Sequence, residues 1–191
     1  MRRCKHKPCG KEIPAARRCE DIIQKKGFCG MDCLQVHARE KAQKRRESEN
    51  RKDIRQRREK LKTRSDYARE AQQAVNAYVR LRDYGKPCIS CDKPDDGSHQ
   101  RHASHYRSVG ACPSLRFNLK NIHASCQQCN TTKSGNIMEY RIRLKRNHGE
   151  AFVEWLESHN GEARYSIEYL KRVKTVFNKR VRKLKKRMGI D

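Results

Sequence analysis

The sequence predicts a small α+β fold that is stabilised by bound zinc and extended by long basic helices. Three observations lead to this prediction. Only 35% of the 191 residues are hydrophobic, and small modules with few apolar residues usually need metal or disulfides for stability. Ten cysteines are present, and they stand at short spacings in two groups, within residues 1–33 and 86–135. The stretches outside these groups are rich in residues that favour helix.

The first cysteine group makes residues 1–33 a predicted zinc-binding domain. The patterns CKHKPC and CGMDC resemble two zinc knuckles. The predicted ligands of this zinc are Cys4, Cys9, Cys29 and Cys33. The alternative ligands are Cys19, His6 and His37.

The expected compartment decides whether these cysteines bind metal. The segment MRRCKHKPCGKE lacks the apolar region of a secretory signal, and no apolar run is long enough to span a bilayer. We therefore expect a protein of the bacterial cytoplasm without a membrane partner. In a reducing compartment, closely paired thiols are more often zinc ligands than disulfides.

Residues 34–85 are predicted to form a long basic helical arm. No cysteine, proline or glycine occurs before Gly85, and Ile54 is the only strongly apolar residue between Gln43 and Lys60. The first part of the arm should therefore be exposed. Farther along, apolar residues recur at helical spacing, which favours a helix that packs on its own domain. The sevenfold spacing from Ile54 to Val75 leaves a coiled-coil seam as the alternative.

Residues 148–191 are predicted to be a basic helical region, and helices should resume just before it. Asn136 and Glu139 have the spacing of a helix N-cap and its capping partner. The last helix should begin near Ser166, with one apolar stripe facing the core. Its basic residues are expected to contact phosphate, and those predicted to bind DNA are Arg180, Lys183 and Lys186.

The charge of the chain points to a polyanionic partner. Lysine and arginine number 47 against 22 acidic residues, which gives a net charge of +25. This excess is far greater than solubility requires, and nucleic acid is the first candidate. Anionic lipid is a weaker alternative, since no apolar membrane-facing stripe accompanies the charge.

Residues 86–147 combine a predicted structural zinc site with other functional groups. Two CxxC pairs, Cys88 with Cys91 and Cys126 with Cys129, can supply four thiolates to a tetrahedral zinc. The segment between the pairs is longer than a zinc-ribbon connection. It contains several histidines and asparagines that could act in chemistry: His99, His102, His105, Asn118, Asn121 and His123.

The order of these groups resembles a known motif. CxxC is followed by His105 in ASHYRSVGA, by Asn121 in NIHASC, and by CNTTK. This order resembles the HNH endonuclease motif of the ββα-metal fold. Over nearly its full length, including the block LRFNLKNIHASCQQCNTTKSGN, the chain resembles the NinG (Rap) recombination proteins of lambdoid phages.

The resemblance implies a metal-dependent endonuclease. Phosphodiester hydrolysis needs a base that takes a proton from water and a cation that offsets developing charge. His105 is the expected base, and Asn121 is expected to orient its imidazole; Asn118 is the alternative orienting residue. Beside structural Zn²⁺, the implied catalytic ion is Mg²⁺ or Mn²⁺.

The ligands of that catalytic ion are less clear from the sequence. Many HNH enzymes have an aspartate before the catalytic histidine, and here the position holds Ser104. The remaining candidate ligands are Asn130 and His123, followed by His102. Basic residues that flank the motif are expected to hold DNA, namely Arg107, Arg116 and Lys133. We expect His99 to be a surface residue and Cys112 a free thiol.

The resemblance also implies a substrate class, branched recombination intermediates such as Holliday junctions and D-loops in phage homologous recombination. Paired cuts would favour a homodimer, and host or phage recombination proteins are the expected protein partners. Two other interpretations remain open. One is a non-catalytic zinc protein that binds branched DNA, which the missing aspartate favours. The other is a sequence-specific HNH nuclease.

Overall fold

The computed structural model describes residues 1–13, 21–97 and 99–190. It divides the chain into two compact units, residues 1–61 and residues 62–191. Each contains helices and a short two-stranded sheet, so the predicted mixture of helix and strand in a small protein is confirmed. Among the described residues, no helix has both the length and the apolar character needed to cross a membrane.

The first unit begins with a very short β-hairpin followed by two helices. Strand β1 (Arg2–Arg3) pairs antiparallel with β2 (Glu12–Ile13). Helix α1 covers Ile22–Lys26 and α2 covers Met31–Lys60. The few buried side chains of this unit include those of Cys4, Ile13 and Phe28. Such a small apolar core indicates that the unit needs another source of stability.

Helix α2 is a long exposed helix. Its 30 residues correspond to about 45 Å of length. None of them is buried, in line with the expectation for the segment around Ile54. Side chains four positions apart pair on its surface, as Arg45 does with Glu49 at 2.9 Å.

The expected continuous helix is in fact interrupted before α3 (Arg64–Arg82). Thr63 caps α3: its hydroxyl accepts from the Asp66 backbone N–H, and the Asp66 carboxylate accepts from the Thr63 N–H. This reciprocal capping satisfies two N–H groups at the start of a helix. Leu61, predicted to lie in the apolar stripe, is 80% exposed and outside the helix.

The second unit is built around α3, α6 and a second hairpin. Helix α6 (Ile167–Met188) begins after Ser166 as predicted, with the Ser166 hydroxyl accepting from the Tyr169 N–H. Strands β3 (His102–His105) and β4 (Ile122–Ser125) pair antiparallel. Together these elements enclose one core, whose buried residues are Tyr67, Ala71, Ala74, Val75, Val79, Phe117, Ile122, Leu170, Val173 and Phe177.

Helices α4 (Ile137–His148) and α5 (Glu150–Ser158) cover a second core beside the loop that joins β3 to β4. Tyr140, Leu144, Val153 and Leu156 are fully buried there. The capping expected of Asn136 is wrong, although α4 does begin directly after it. Asn136 has a φ of 50° and no side-chain cap; its amide instead donates to the Ser90 carbonyl at 3.2 Å and the Cys129 sulfur at 3.8 Å.

Candidate functional site

Four cysteines of the second unit converge as the sequence predicts. The Sγ atoms of Cys88, Cys91, Cys126 and Cys129 all lie within 4.8 Å of one another. The Cys91 and Cys126 sulfurs are 3.8 Å apart, far beyond the S–S bond length of about 2.05 Å. Tetrahedral zinc with Zn–S bonds of about 2.3 Å places its sulfurs about 3.8 Å apart. The spacing therefore fits a zinc site and excludes a disulfide.

Backbone N–H groups point at these sulfurs. Cys88 Sγ accepts from the N–H of Ser90 at 3.4 Å and of Cys126 at 3.2 Å, and Cys126 Sγ accepts from Cys129 at 3.5 Å. Burial opposes ionisation of Cys126, but the Cys129 N–H and the neighbouring thiols lower its pKa to about 7. Such donors stabilise thiolates, which are the form that binds metal.

A second cysteine cluster lies in the first unit. Cys4, Cys9, Cys29 and Cys33 also keep their sulfurs within 4.8 Å of one another, and Cys29 is 3.4 Å from both Cys9 and Cys33. Both clusters can therefore hold zinc, and the ligand sets agree with the predicted ones.

The alternative ligands of the first zinc are not drawn into this cluster where the structure describes them. His6 Nε2 faces the Glu40 carboxylate at 3.8 Å, and the ring of His37 packs on Phe28 at 5.1 Å. The remaining alternative, Cys19, lies outside the described residues.

The β3–β4 hairpin separates the predicted catalytic residues by face. In the register, His102 pairs with Ser125, Ser104 with His123, and His105 with Ile122. Since alternate residues of a strand point to opposite faces, His102, Ser104 and His123 share one face. His105 lies on the other, where Ile122 contributes to the core with α3 and α6.

His105 is held by the loop that joins the two strands. Its Nε2 lies 3.0 Å from the Arg116 carbonyl oxygen and 3.4 Å from Gln72 Nε2. Burial lowers the pKa of His105, although the hydrogen bond to the Arg116 carbonyl acts in the opposite direction. The imidazole is therefore neutral near pH 7.

Asn121 does not contact His105, which corrects the orienting contact expected of it. Its Oδ1 accepts from the Arg107 N–H at 2.8 Å, and its Nδ2 donates to the carbonyls of Arg107 at 2.9 Å and Leu115 at 3.3 Å. The side chain is fully buried. Asn118 is no substitute, because its Oδ1 accepts from the Lys120 N–H in a local turn at 2.9 Å.

The predicted ligands of a catalytic ion are only partly brought together. Asn130 Nδ2 lies 3.3 Å from His102 Nδ1. Ser104 is 2% exposed, so the position where aspartate was expected is buried. His123 stands apart from this pair, with its Nδ1 2.9 Å from the Tyr140 hydroxyl. Burial, and then the charge of Arg82, lowers the pKa of His123 to about 4.

The predicted DNA-binding cations differ in how much of each is available. The Arg107 guanidinium donates to the Glu157 carbonyl at 2.6 Å at the end of α5, and Arg116 donates to Gln72 at 3.2 Å and lies over the Phe117 ring. Lys133 is exposed, and so are the α6 residues Arg180, Lys183 and Lys186. Arg107 therefore serves the fold first, whereas the other group can reach a ligand.

Sequence reasoning missed the groups that surround His105. Gln72 lies on α3, far from the motif in sequence, and Arg116 contributes a backbone carbonyl that every residue has. Tyr140, which touches His123 and donates to the Ser104 carbonyl at 3.2 Å, appeared only as one position of a helix. Only the helical stripe of α3 could have indicated that Gln72 lies beside the hairpin. The two expected bystanders behave as predicted, since His99 is exposed and Cys112 is a buried free cysteine.

The fold and the cysteine clusters define a small mixed helix and strand protein with two sites that can bind zinc. A family model described as Bacteriophage Lambda NinG protein matches residues 2–187. The chain therefore belongs to the NinG family, which confirms the resemblance seen in its motifs.

Curated relatives agree with this assignment. "Protein ninG" of Escherichia phage lambda is 43% identical over 125 residues, which cover 65% of this chain and 60% of the relative. "Protein ninG" of Salmonella phage P22 is 42% identical over 125 residues, covering 65% and 61%. The matched part thus spans about three fifths of each relative. No solved structure matches the chain.

Proposed function

We propose that this protein is a structure-specific, metal-dependent DNA endonuclease with an HNH (ββα-metal) core. Its proposed substrates are Holliday junctions and D-loops in phage homologous recombination. The observation that carries the catalytic part of the proposal is the setting of His105, a partly buried imidazole with one nitrogen held by a backbone carbonyl. The proposed setting is the host cytoplasm, with a homodimer making paired cuts beside other recombination proteins.

The carbonyl contact determines which nitrogen of His105 can act as a base. A carbonyl oxygen only accepts hydrogen bonds, so the Nε2 that lies 3.0 Å from the Arg116 oxygen carries the hydrogen. The lone pair is then on Nδ1, which has no hydrogen-bond partner among the described residues. With its lowered pKa, the neutral imidazole can take a proton from water near pH 7.

Asn121 supports this arrangement as a positioning residue. It ties Arg107, two residues after His105, to Leu115, the residue before Arg116. Both ends of the connecting loop are thereby fixed next to the imidazole and to the carbonyl that holds it. A loop held in this way keeps a catalytic group oriented between turnovers.

His102 and Asn130 are the residues that we propose as ligands of Mg²⁺ or Mn²⁺. They supply two neutral donors close together, and such ions commonly take their other ligands from water and substrate phosphate. When bound, the cation would offset the negative charge that develops on the phosphate. His123 fits this shell less well, because its Nδ1 is engaged by Tyr140.

Charge supports DNA as the partner. The net charge is +25, and α6 presents exposed cations on the side opposite its buried residues Leu170, Val173 and Phe177. Phosphate contacts spread over such a surface favour recognition by shape over reading of base sequence.

A non-catalytic protein that binds branched DNA is the second candidate. Two observations favour it: Ser104 replaces the expected carboxylate and is buried, and His105 lies on the opposite hairpin face from His102. In this alternative the zinc clusters and basic surface act alone, and His105 only stabilises the loop.

Cleavage of matched substrates tests the two candidates against each other. The zinc-loaded protein is incubated with a four-way junction and with linear duplex of the same arm sequences, in Mg²⁺, in Mn²⁺ and in EDTA. We expect junction cleavage with either ion, none in EDTA, and little cutting of duplex. An intact junction under every metal condition would exclude the nuclease, and equal cutting of duplex would exclude the branched substrate class.

A further inference from the structure

A pocket in the second unit lies outside the proposed catalytic residues around His105. Its volume is about 540 Å³, within the range of about 300–1,000 Å³ typical of small-ligand sites. It is lined by the end of α3, by residues 86–92, by β4 and by the corner between α4 and α5.

One wall of the pocket is a ladder of aromatic rings. The His123 and His148 rings lie 5.7 Å apart, and His148 stacks on Phe152 at 4.6 Å with an interplanar angle of 27°. Gly149 permits this stack, because its φ of 88° turns the chain sharply between α4 and α5. Stacked rings with an exposed member, here His148, offer a flat surface to another planar group.

The rest of the lining is positively charged. Four cations, Arg82, Lys86, Lys120 and Arg146, and two carboxylates, Asp83 and Asp92, line the pocket, so its net charge is +2 with the histidines neutral.

The carboxylates of the lining are already paired. Asp83 pairs with Arg82 at 2.6 Å, and Asp92 pairs with Arg146 at 2.8 Å. Lys120 has no carboxylate partner among the described residues; its ammonium lies 5.9 Å from the Phe152 ring centre and 4.8 Å from that of Trp155. The rim thus keeps an unpaired cation directly beside the aromatic wall.

We propose that this pocket binds one unstacked nucleobase of a DNA strand, stacked on His148 and Phe152, with its phosphate held by Lys120. Base stacking on aromatic side chains combined with cations along the backbone is the general chemistry of single-strand recognition. The proposal rests on DNA being the partner, as proposed above, but it does not require cleavage. It would give the protein a means to recognise the unpaired nucleotides of branched DNA.

Three labelled probes test the base contact by fluorescence anisotropy: a fully paired duplex, the same duplex with one extra unpaired thymine, and a version with an abasic site in place of that thymine. We expect the unpaired thymine to bind at least about fivefold more tightly than the abasic probe, from the usual strength of stacking on aromatic residues. Equal binding of these two probes by the wild-type protein would overturn the proposal.

Variants locate the effect in the pocket. His148→Ala and Phe152→Leu should both remove the preference for thymine while leaving the affinity for paired duplex unchanged; leucine keeps the apolar volume, so the fold is retained. Tyr169→Ala is the matched control, since Tyr169 is a 45% exposed aromatic on α6 that does not line the pocket. It should keep the preference. Persistence of the preference in both pocket variants would contradict the assignment.

Free nucleotide is the other source of the same chemistry. Trp155 is the only tryptophan and contacts Lys120, so its fluorescence can report a titration with thymidine monophosphate. Saturation at the same concentration as the thymine probe would show a site for free nucleotides and overturn the DNA-strand assignment; much weaker binding supports it. Junction cleavage without base preference would refute the pocket alone, whereas no binding to any DNA would refute both proposals.

Discussion

Replacement of Asn121 distinguishes a residue that holds the fold from one that takes part directly in catalysis. In Asn121→Ala, three hydrogen bonds at 2.8, 2.9 and 3.3 Å are lost. Each contributes about 1 kcal/mol net, and the buried groups left without partners add further cost. We therefore expect the free energy of unfolding of the second unit to fall by about 3–5 kcal/mol.

Urea unfolding of the zinc-loaded full chain measures this effect. Trp155 is the only tryptophan and lies in the second unit, so its emission reports that unit. With an m-value of about 2 kcal/mol/M, the midpoint should fall by about 1.5–2.5 M. An unchanged midpoint together with lost junction cleavage would refute the structural role and favour direct action of Asn121.

Asn121→Asp serves as the isosteric companion. Its Oδ1 can still accept from the Arg107 N–H, but its second oxygen would face the carbonyls of Arg107 and Leu115. Repulsion from these oxygens raises the pKa of the introduced carboxyl above its unfolded value, so the variant is least destabilised at low pH and loses stability as pH rises. Destabilisation independent of pH would argue against the hydrogen-bond geometry.

Three further predictions concern the zinc site, a buried carboxylate and the basic helix. Cys126→Ser should release zinc from the second unit and unfold it, as seen by metal analysis and Trp155 emission; retention of a full zinc complement would contradict the ligand set. Burial opposes it, but Arg82 lowers the pKa of Asp83, so its stabilisation is present above the ordinary Asp pKa of about 3.9 and is lost as pH falls through the lower folded value. The stability difference between wild type and Asp83→Asn should accordingly shrink below about pH 4, and a constant difference would argue against it. Changing Lys183 and Lys186 together to Gln should reduce the salt dependence of DNA binding by about one or two phosphate contacts; an unchanged slope would remove α6 from the interface.

Features set by local chemistry could be predicted from the sequence. The two zinc ligand sets follow from thiol spacing, because a tetrahedral ion needs four sulfurs. The start of α6 follows from the Ser166 cap and the apolar period behind it. The break before α3 was also encoded, since Thr63 and Asp66 have capping-box spacing, but the helix-favouring composition on both sides concealed it.

Features set by tertiary contacts could not be predicted in the same way. Asn136 resembles an N-cap, yet the carbonyl of Ser90 and the sulfur of Cys129 draw its amide away. Asn121 lies in the expected motif position, but its partner is the loop backbone at Arg107. Backbone groups leave no mark in the sequence, so the Arg116 carbonyl that holds His105 was equally hidden.

The rate of junction cleavage by His105→Ala, measured in single turnover with Mg²⁺, tests the proposed active site most directly. The exposed His99 provides the matched control as His99→Ala. General base catalysis contributes about 10²–10⁴-fold, so the His105 variant should lose cleavage by at least that factor while binding the junction normally, and the His99 variant should cut at the wild-type rate. Cleavage by His105→Ala within a few-fold of wild type would contradict the account.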